Sequence, residues 1–259
     1  MVNIMKPATS LNAERALDIL LVLGEVSTDG LSLAQITLRV GGGKSAVHRS
    51  HAALMPKGFV EAAGRYGHYR LGPAVPMLAR RQERLEPQIE TLRPGMTEFA
   101  RRTGFTVFLM VQAGVDAVCA DMVSRSTRHH FTMGVGARVP MGVAAGSMAL
   151  LSILPPDAAA RIMEDNKERY ARHPALRHID ADVIGAQVAA ARRQGYAINM
   201  GYYLPGEGGL GLPIAARGDH ETNMAISFNA PLEMMTQDWI DTTMIDLRKC
   251  VGRDGATTL

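Results

Sequence analysis

Residues 32–71 leave this chain few folds to choose from. The segment opens Ser32-Leu33-Ala34-Gln35-Ile36 and breaks at Gly41-Gly42-Gly43. It resumes at Lys44-Ser45-Ala46-Val47-His48-Arg49 and closes with Gly58-Phe59-Val60-Glu61 and Tyr69-Arg70-Leu71-Gly72. Ser32 and Gln35 have capping-box spacing just ahead of Ile36 and Leu38, which starts a helix. The three glycines stop it, because glycine accepts the left-handed backbone of a sharp turn between helices. A second helix opens at Lys44, with Val47 and Leu54 facing inward and Lys44, Ser45, His48 and Arg49 on an exposed N-terminal face. Two short strands, 59–61 and 68–71, flank Gly64-Arg65-Tyr66-Gly67 and read as a hairpin. A preceding helix over about 10–24 carries Ala13, Ala16, Leu17, Leu20, Leu21 and Leu23 at helical spacing, with Ser10 as its N-cap. Capped helix, turn, basic helix and hairpin in this order make a winged helix-turn-helix. That unit sets one helix in the major groove and a β-ribbon on the adjacent backbone.

The partner implied is double-stranded DNA. Arg49 can bond guanine bidentately, Ser45 can bond a phosphate or a base edge, and Lys44 and His48 lie beside the helix N-terminus, which favours phosphate. Arg65 and Tyr66 at the hairpin tip reach phosphates or the minor groove. A nucleotide-binding reading of Gly-Gly-Gly-Lys-Ser fails, because a P-loop needs glycine six residues before the lysine and a strand before the loop. Here position 38 is Leu, and a capped helix precedes it. The net charge of +3 forces no general attraction to nucleic acid, so the basic footprint is local. Two cysteines far apart, Cys119 and Cys250, form no metal pair and no disulfide framework, and no apolar run reaches about 18 residues. The expectation is a cytoplasmic chain with no membrane partner. The 16 methionines read as core filler.

Pro76 opens a helix within 72–92, and Pro87 kinks or ends it; Arg80, Arg81 and Arg84 fall within little more than a turn. Beyond it, Thr106–Val111 and Ala117–Val123 read as adjacent antiparallel strands around Gly114. An apolar helix follows over about Met141–Leu154, stopped by Pro155-Pro156, and a longer one covers about Ala181–Gln194. Strands are expected near 212–215 and 224–228, with a glycine-rich stretch at 201–211 and an amphipathic helix over about Gln237–Cys250. Strands set apart from helices in this way predict an α+β domain with an antiparallel sheet. No active site is legible. His129 and His130 are adjacent, so in an extended segment they point to opposite faces, and no His or Cys motif joins them. The run Gly206–Gly211 lacks a dinucleotide fingerprint's context, and Gly146-Ser147 lacks that of a nucleophile elbow. No metal, no cofactor and no enzymatic activity are expected. A pocket is, since the segment 136–146 enters a helix whose first amides can receive a carboxylate, and 196–211 adds aromatic and polar groups.

The motifs Leu-Ser-Leu-Ala-Gln-Ile, Lys-Ser-Ala-Val-His-Arg, Gly-Phe-Val-Glu and Tyr-Arg-Leu-Gly resemble the DNA-binding domain of IclR-type bacterial transcriptional regulators, and the likeness continues through nearly the whole chain. It departs at Gly43, at Ala46 where the family has Thr, and at Ser50-His51 where the family has two Leu on the helix's inner side. The resemblance implies a winged helix-turn-helix over 1–72, a linker helix over 73–92 that helps pair the DNA-binding domains, and a GAF-like effector-binding and oligomerisation domain over 93–259. It places pocket-lining positions at Phe131, Val139, Ala145, Gly146, Asn199, Gly209, Ser227 and Asn229. Ser147-Met148-Ala149 stands where the family commonly has Gly-Lys-Ala, and Asn199 where it can have an acid, which leaves a more neutral lining. The expected effector is a small carboxylate or aromatic metabolite held by backbone amides with Ser227 and Asn229. A homodimer or dimer of dimers is expected, because one short winged helix reads too few bases. The alternative is a small-molecule sensor or degenerate enzyme whose helix-turn-helix mediates protein contacts.

Overall fold

The structure is a computed structural model that describes residues 10–26, 29–79, 85–124, 134–172, 181–216, 218 and 222–252. Phe131, the His129-His130 pair and Arg80, Arg81 and Arg84 lie outside the described residues. The chain divides into two compact units, Met1–Glu83 and Arg84–Leu259.

In the first unit α1 (Leu11–Gly24), α2 (Leu33–Val40) and α3 (Lys44–Leu54) pack on a three-stranded antiparallel sheet. Its strands β1 (Leu31–Ser32), β2 (Val60–Ala62) and β3 (His68–Leu71) lie in the order β1-β3-β2. The core is Ile19, Leu23, Leu31, Ile36, Val47, Leu54 and Val60. Ser10 is the N-cap of α1 as read, though its side chain makes no cap bond. The inward face is narrower than the spacing suggested: Ile19 and Leu23 are core with Ala16 and Leu20 packed against them, while Leu17 and Leu21 stay exposed. The Ser32–Gln35 capping box forms as read, each side chain bonding the other residue's backbone N–H. Gly41 and Gly42 take φ of 76° and 85°, so the turn into α3 uses the backbone freedom that glycine supplies. A short helix, α4 (Ala74–Ala79), follows β3, tied back by Ala74 N–H to the Gly58 carbonyl.

The second unit is a six-stranded antiparallel sheet with helices on both faces. Its helices are α5 (Glu86–Thr103), α6 (Ala145–Ser152), α7 (Pro156–Arg172), α8 (Ala181–Gln194) and α9 (Gln237–Cys250). Its strands are β4 (Val107–Ala113), β5 (Asp116–Val123), β6 (Arg138–Pro140), β7 (Ala197–Leu204), β8 (Glu207–Ile214) and β9 (Met224–Pro231), in the order β6-β5-β4-β9-β8-β7. Alternation sorts side chains between the faces. Val107, Leu109 and Val111 of β4, with Met224, Ile226 and Phe228 of β9, pack toward α5 and α9, beside Phe99 and Leu247. Phe108, Met110 and Ala225 pack toward α6 and α8, with Met148, Leu151 and Ile184. Burial on both faces is why β4 reads as an unbroken apolar run.

Pro87 stands in the first turn of α5, so it opens a helix where a stop was expected. The apolar helix does end before Pro155-Pro156 as read, and Pro156 also starts α7. A first-turn proline forfeits no helical hydrogen bond, because its N–H would have had no partner there. The apolar helix is also shorter than its composition suggests. Gly142 has φ of 95° and Ala144 is extended, so 141–144 forms a turn and α6 begins at Ala145.

Candidate nucleic-acid interface and ligand cavity

α3 is divided lengthwise. Val47, Ser50, His51 and Leu54 are buried, while Lys44, Ser45, His48 and Arg49 are exposed on the other side. Arg49 Nη1 donates to Ser45 Oγ at 2.9 Å, so the guanidinium lies along the exposed face. At the hairpin tip, Arg65 is exposed and Tyr66 is fully so at 101%. Cross-strand Glu61–Arg70, at 2.8 Å, stiffens the wing behind them. Arg15 of α1, not singled out in the sequence, lies beside the turn: a Cβ built on Gly42 would stand 3.4 Å from its Nε. Nothing local in the sequence separates Arg15 from an ordinary surface arginine.

Ser50 and His51 pack into this unit instead of loosening it. Ser50 Oγ donates to the Asn12 carbonyl of α1 at 3.3 Å, and the His51 ring meets Tyr69 of β3 edge-on at 4.2 Å between centroids. Nε2 of His51 is buried without a hydrogen-bond partner among the described residues, and burial, then His48, pushes the imidazole below its ordinary 6.5. A histidine held neutral in the fold but free to protonate when unfolded makes the unfolded state bind more protons below its unfolded pKa. The first unit therefore loses stability as pH falls below about 6.5, and His51→Leu flattens that dependence. Thermal unfolding of both proteins between pH 7.5 and 5 measures it; parallel slopes would refute the assignment.

In the second unit, strand register brings distant residues into rows. Asn199 of β7 pairs with Gly209 of β8, and Gly209 pairs with Asn229 of β9. The next row runs Ala197, Gly211, Ser227 and Phe108. α6 lies directly on that second row. A Cβ on Gly211 would stand 2.3 Å from the Ala145 carbonyl oxygen, and one on Gly146 would stand 2.6 Å from Ser227 Oγ. Within the glycine-rich stretch, Gly209 and Gly211 are strand residues beneath α6. Ser147 Oγ accepts from the Gly142 and Ala144 amides at 3.1 and 3.0 Å, fastening the entry to α6.

At the start of α6 the first row borders a small cavity, open to solvent, lined by Ala144, Ala145, Asn199, Tyr203, Leu204, Glu207, Gly209 and Asn229; Asn199 and Gly209 are themselves buried there, and a Cβ on Gly209 would stand 3.1 Å from the Ala145 Cβ. Ala145, Asn199, Gly209 and Asn229 from the sequence reading thus meet in one place. Val139 is core, and Gly146 and Ser227 pack against each other rather than line the cavity. Asn199, only 2% exposed, is committed: Nδ2 donates to the Val143 carbonyl, and Oδ1 accepts from the Tyr202 and Tyr203 amides. Those last bonds hold the irregularity in β7 between Asn199 and Leu204, which brings Tyr203 to the cavity.

Tyr203 and Glu207 escaped the sequence reading. Their positions depend on that irregularity, and the only sequence signal was an acid directly before Gly208-Gly209. Burial raises the Tyr203 hydroxyl's pKa. It drives the Cys119 thiol up to about 12, which keeps this core cysteine protonated. Among the described residues no His, Cys, Asp or Glu cluster fits a metal ion, and no helix is long and apolar enough to cross a membrane.

Comparison with known proteins bears on both units. The IclR helix-turn-helix domain model matches residues 12–64, and the model for the C-terminal domain of bacterial transcriptional regulator IclR matches residues 87–253. The HTH-type transcriptional regulator Rv1719 of Mycobacterium tuberculosis is 37% identical over 149 residues, 58% of this chain and 56% of that protein. The chain thus spans about half the length of that relative. An IclR transcriptional regulator from Silicibacter sp. TM1040 superposes with a TM-score of 0.70 at 26% identity, covering 92% of each chain. An IclR homolog from Microbacterium hydrocarbonoxydans, solved in complex with 4-hydroxybenzoate, superposes at 0.67 with 20% identity over 93% of this chain and 99% of that one.

Proposed function

The chain belongs to the IclR family of bacterial transcriptional regulators, and from that premise we propose that it is a ligand-responsive regulator of a metabolic operon. The family and the named relative are regulators of transcription, not enzymes. In this reading Lys44, Ser45, His48 and Arg49 enter the major groove of operator DNA, and Arg65 and Tyr66 contact the flanking backbone or minor groove. A small carboxylate or aromatic metabolite occupies the cavity at Asn199, Gly209 and Asn229. The protein acts in the cytoplasm as a homodimer or dimer of dimers, with 73–92 linking its two kinds of domain. The ligand works by binding one arrangement of the assembly more tightly, a coupling typically worth about 1–3 kcal/mol.

The observation that carries the reading is the lengthwise division of α3, one side core and the other four polar or basic residues aimed outward. Ser50-His51, where the family has two Leu, is absorbed into the packing of this unit. Selection of bound sequences from a random duplex pool at two salt concentrations tests the proposal. An enriched paired motif is expected, with log affinity falling against log salt at about −0.9 per phosphate neutralised. Arg49→Ala is expected to cost about 1–3 kcal/mol and relax preference at one base position. Arg65→Ala should weaken all sequences alike and reduce the salt slope by about one. Failure of the folded protein to enrich any sequence, with and without metabolite mixtures, would sink the reading.

A further inference from the structure

Glu207, at the lining of the cavity, carries an acceptor oxygen that no described residue satisfies. Oε2 of Glu207 is buried and has no hydrogen-bond partner among the described residues, while the residue lines the cavity beside Tyr203 and Asn229. Its position follows from the fold: Glu207 pairs with Leu204 and Pro231, one pair beyond Gly209 on the cavity face of β8. Buried polar atoms are almost always bonded, and an orphaned one calls for a missing partner. A carboxylate oxygen accepts only, so that partner must donate. The other end of the cavity is Ala144-Ala145, the entry to α6, where negative charge is better placed than beside Glu207.

Resting on the reading of this cavity as the effector site, we infer that its ligand carries a hydroxyl or amino group that donates to the Glu207 carboxylate. The site discriminates against otherwise identical molecules lacking that group. An unsubstituted carboxylate leaves the buried oxygen unpaired and adds like charge near it; a hydroxylated one bonds Glu207 and keeps its own charge at the α6 end. Sites built to bond a ligand O–H or N–H reject the analogue without it more strongly than apolar pockets reject size changes.

Calorimetric titration of the full chain with two matched pairs tests this: 4-hydroxybenzoate against benzoate, and lactate against propionate. At least one hydroxylated member is expected to bind about 10-fold or more tightly than its partner. Glu207→Met, similar in length but without an acceptor, should reduce that preference to under about 3-fold. Glu207→Gln, which keeps a neutral acceptor, should give an intermediate value and guards against a folding defect in the first variant. A preference that survives Glu207→Met, or equal binding within both pairs, overturns the inference alone, provided Asn229→Phe, which fills the cavity, abolishes binding. Binding that persists in Asn229→Phe overturns the effector-site reading as well. Absence of binding by all four probes overturns the inference and leaves DNA recognition standing.

Discussion

Gly211→Val is expected to destabilise the second unit by more than about 3 kcal/mol, lowering its melting temperature by roughly 6–12 °C. The added Cβ would stand 2.3 Å from the Ala145 carbonyl oxygen and 3.1 Å from the Gly146 nitrogen. Both obstacles are backbone, so no rotamer change relieves the overlap, and α6 must lift from β8. All eight residues of α6 are buried, so lifting it opens the core on that face of the sheet. Gly185, inside α8, gives the contrast. Nothing lies within 4 Å of a Cβ built there, and Gly185→Ala should stabilise by about 0.5–1 kcal/mol through helix propensity. Circular dichroism melts of the two variants and the parent decide it. A Gly211→Val protein melting with the parent would show that α6 does not rest on β8.

The second large effect is expected at Asn199. Asn199→Ala removes the 2.9 Å bond to the Val143 carbonyl and the two bonds from the Tyr202 and Tyr203 amides. Leaving the buried Val143 carbonyl unpaired and freeing the β7 irregularity should together cost about 3 kcal/mol. Tyr203 then leaves the cavity, so ligand affinity falls along with stability. Asn199→Asp keeps the acceptor toward the amides but sets a carboxylate against the Val143 carbonyl. It should lose the tie to the turn before α6 while retaining the β7 geometry, and fall between parent and Asn199→Ala. Melting temperature and ligand titration on the same samples separate a positioning role from direct contact. Lost affinity at unchanged melting temperature would make Asn199 a ligand contact instead.

What the sequence disclosed was local. The Ser32–Gln35 box, the turn at Gly41-Gly42, the split face of α3, the β4–β5 pair, and helices α8 and α9 each depend on residues within a few turns of one another. The errors had two physical sources. Proline has opposite meanings at the two ends of a helix, so Pro87 read as a stop, and Pro156, read only as the end of the preceding helix, hid the start of α7. The meaning of a glycine also depends on what covers it. Gly209 and Gly211 looked like loop because their reason, a helix laid on the sheet, comes from residues about 65 positions earlier. Half of the cavity was legible through Ala145, Asn199, Gly209 and Asn229. Tyr203 and Glu207 were not, since the irregular pairing of β7 with β8 decides which face they join.

The Gly211–Ser227 row seats α6, and the neighbouring rows of Gly209 and Glu207 line the cavity, with Ala145 touching both. Positions 207 and 229 can therefore change their chemistry without touching the Gly211–Ser227 row that seats α6. If the cavity takes the proposed effector, single substitutions can retune it from one metabolite to another, the architecture standing as a fixed socket with an exchangeable lining.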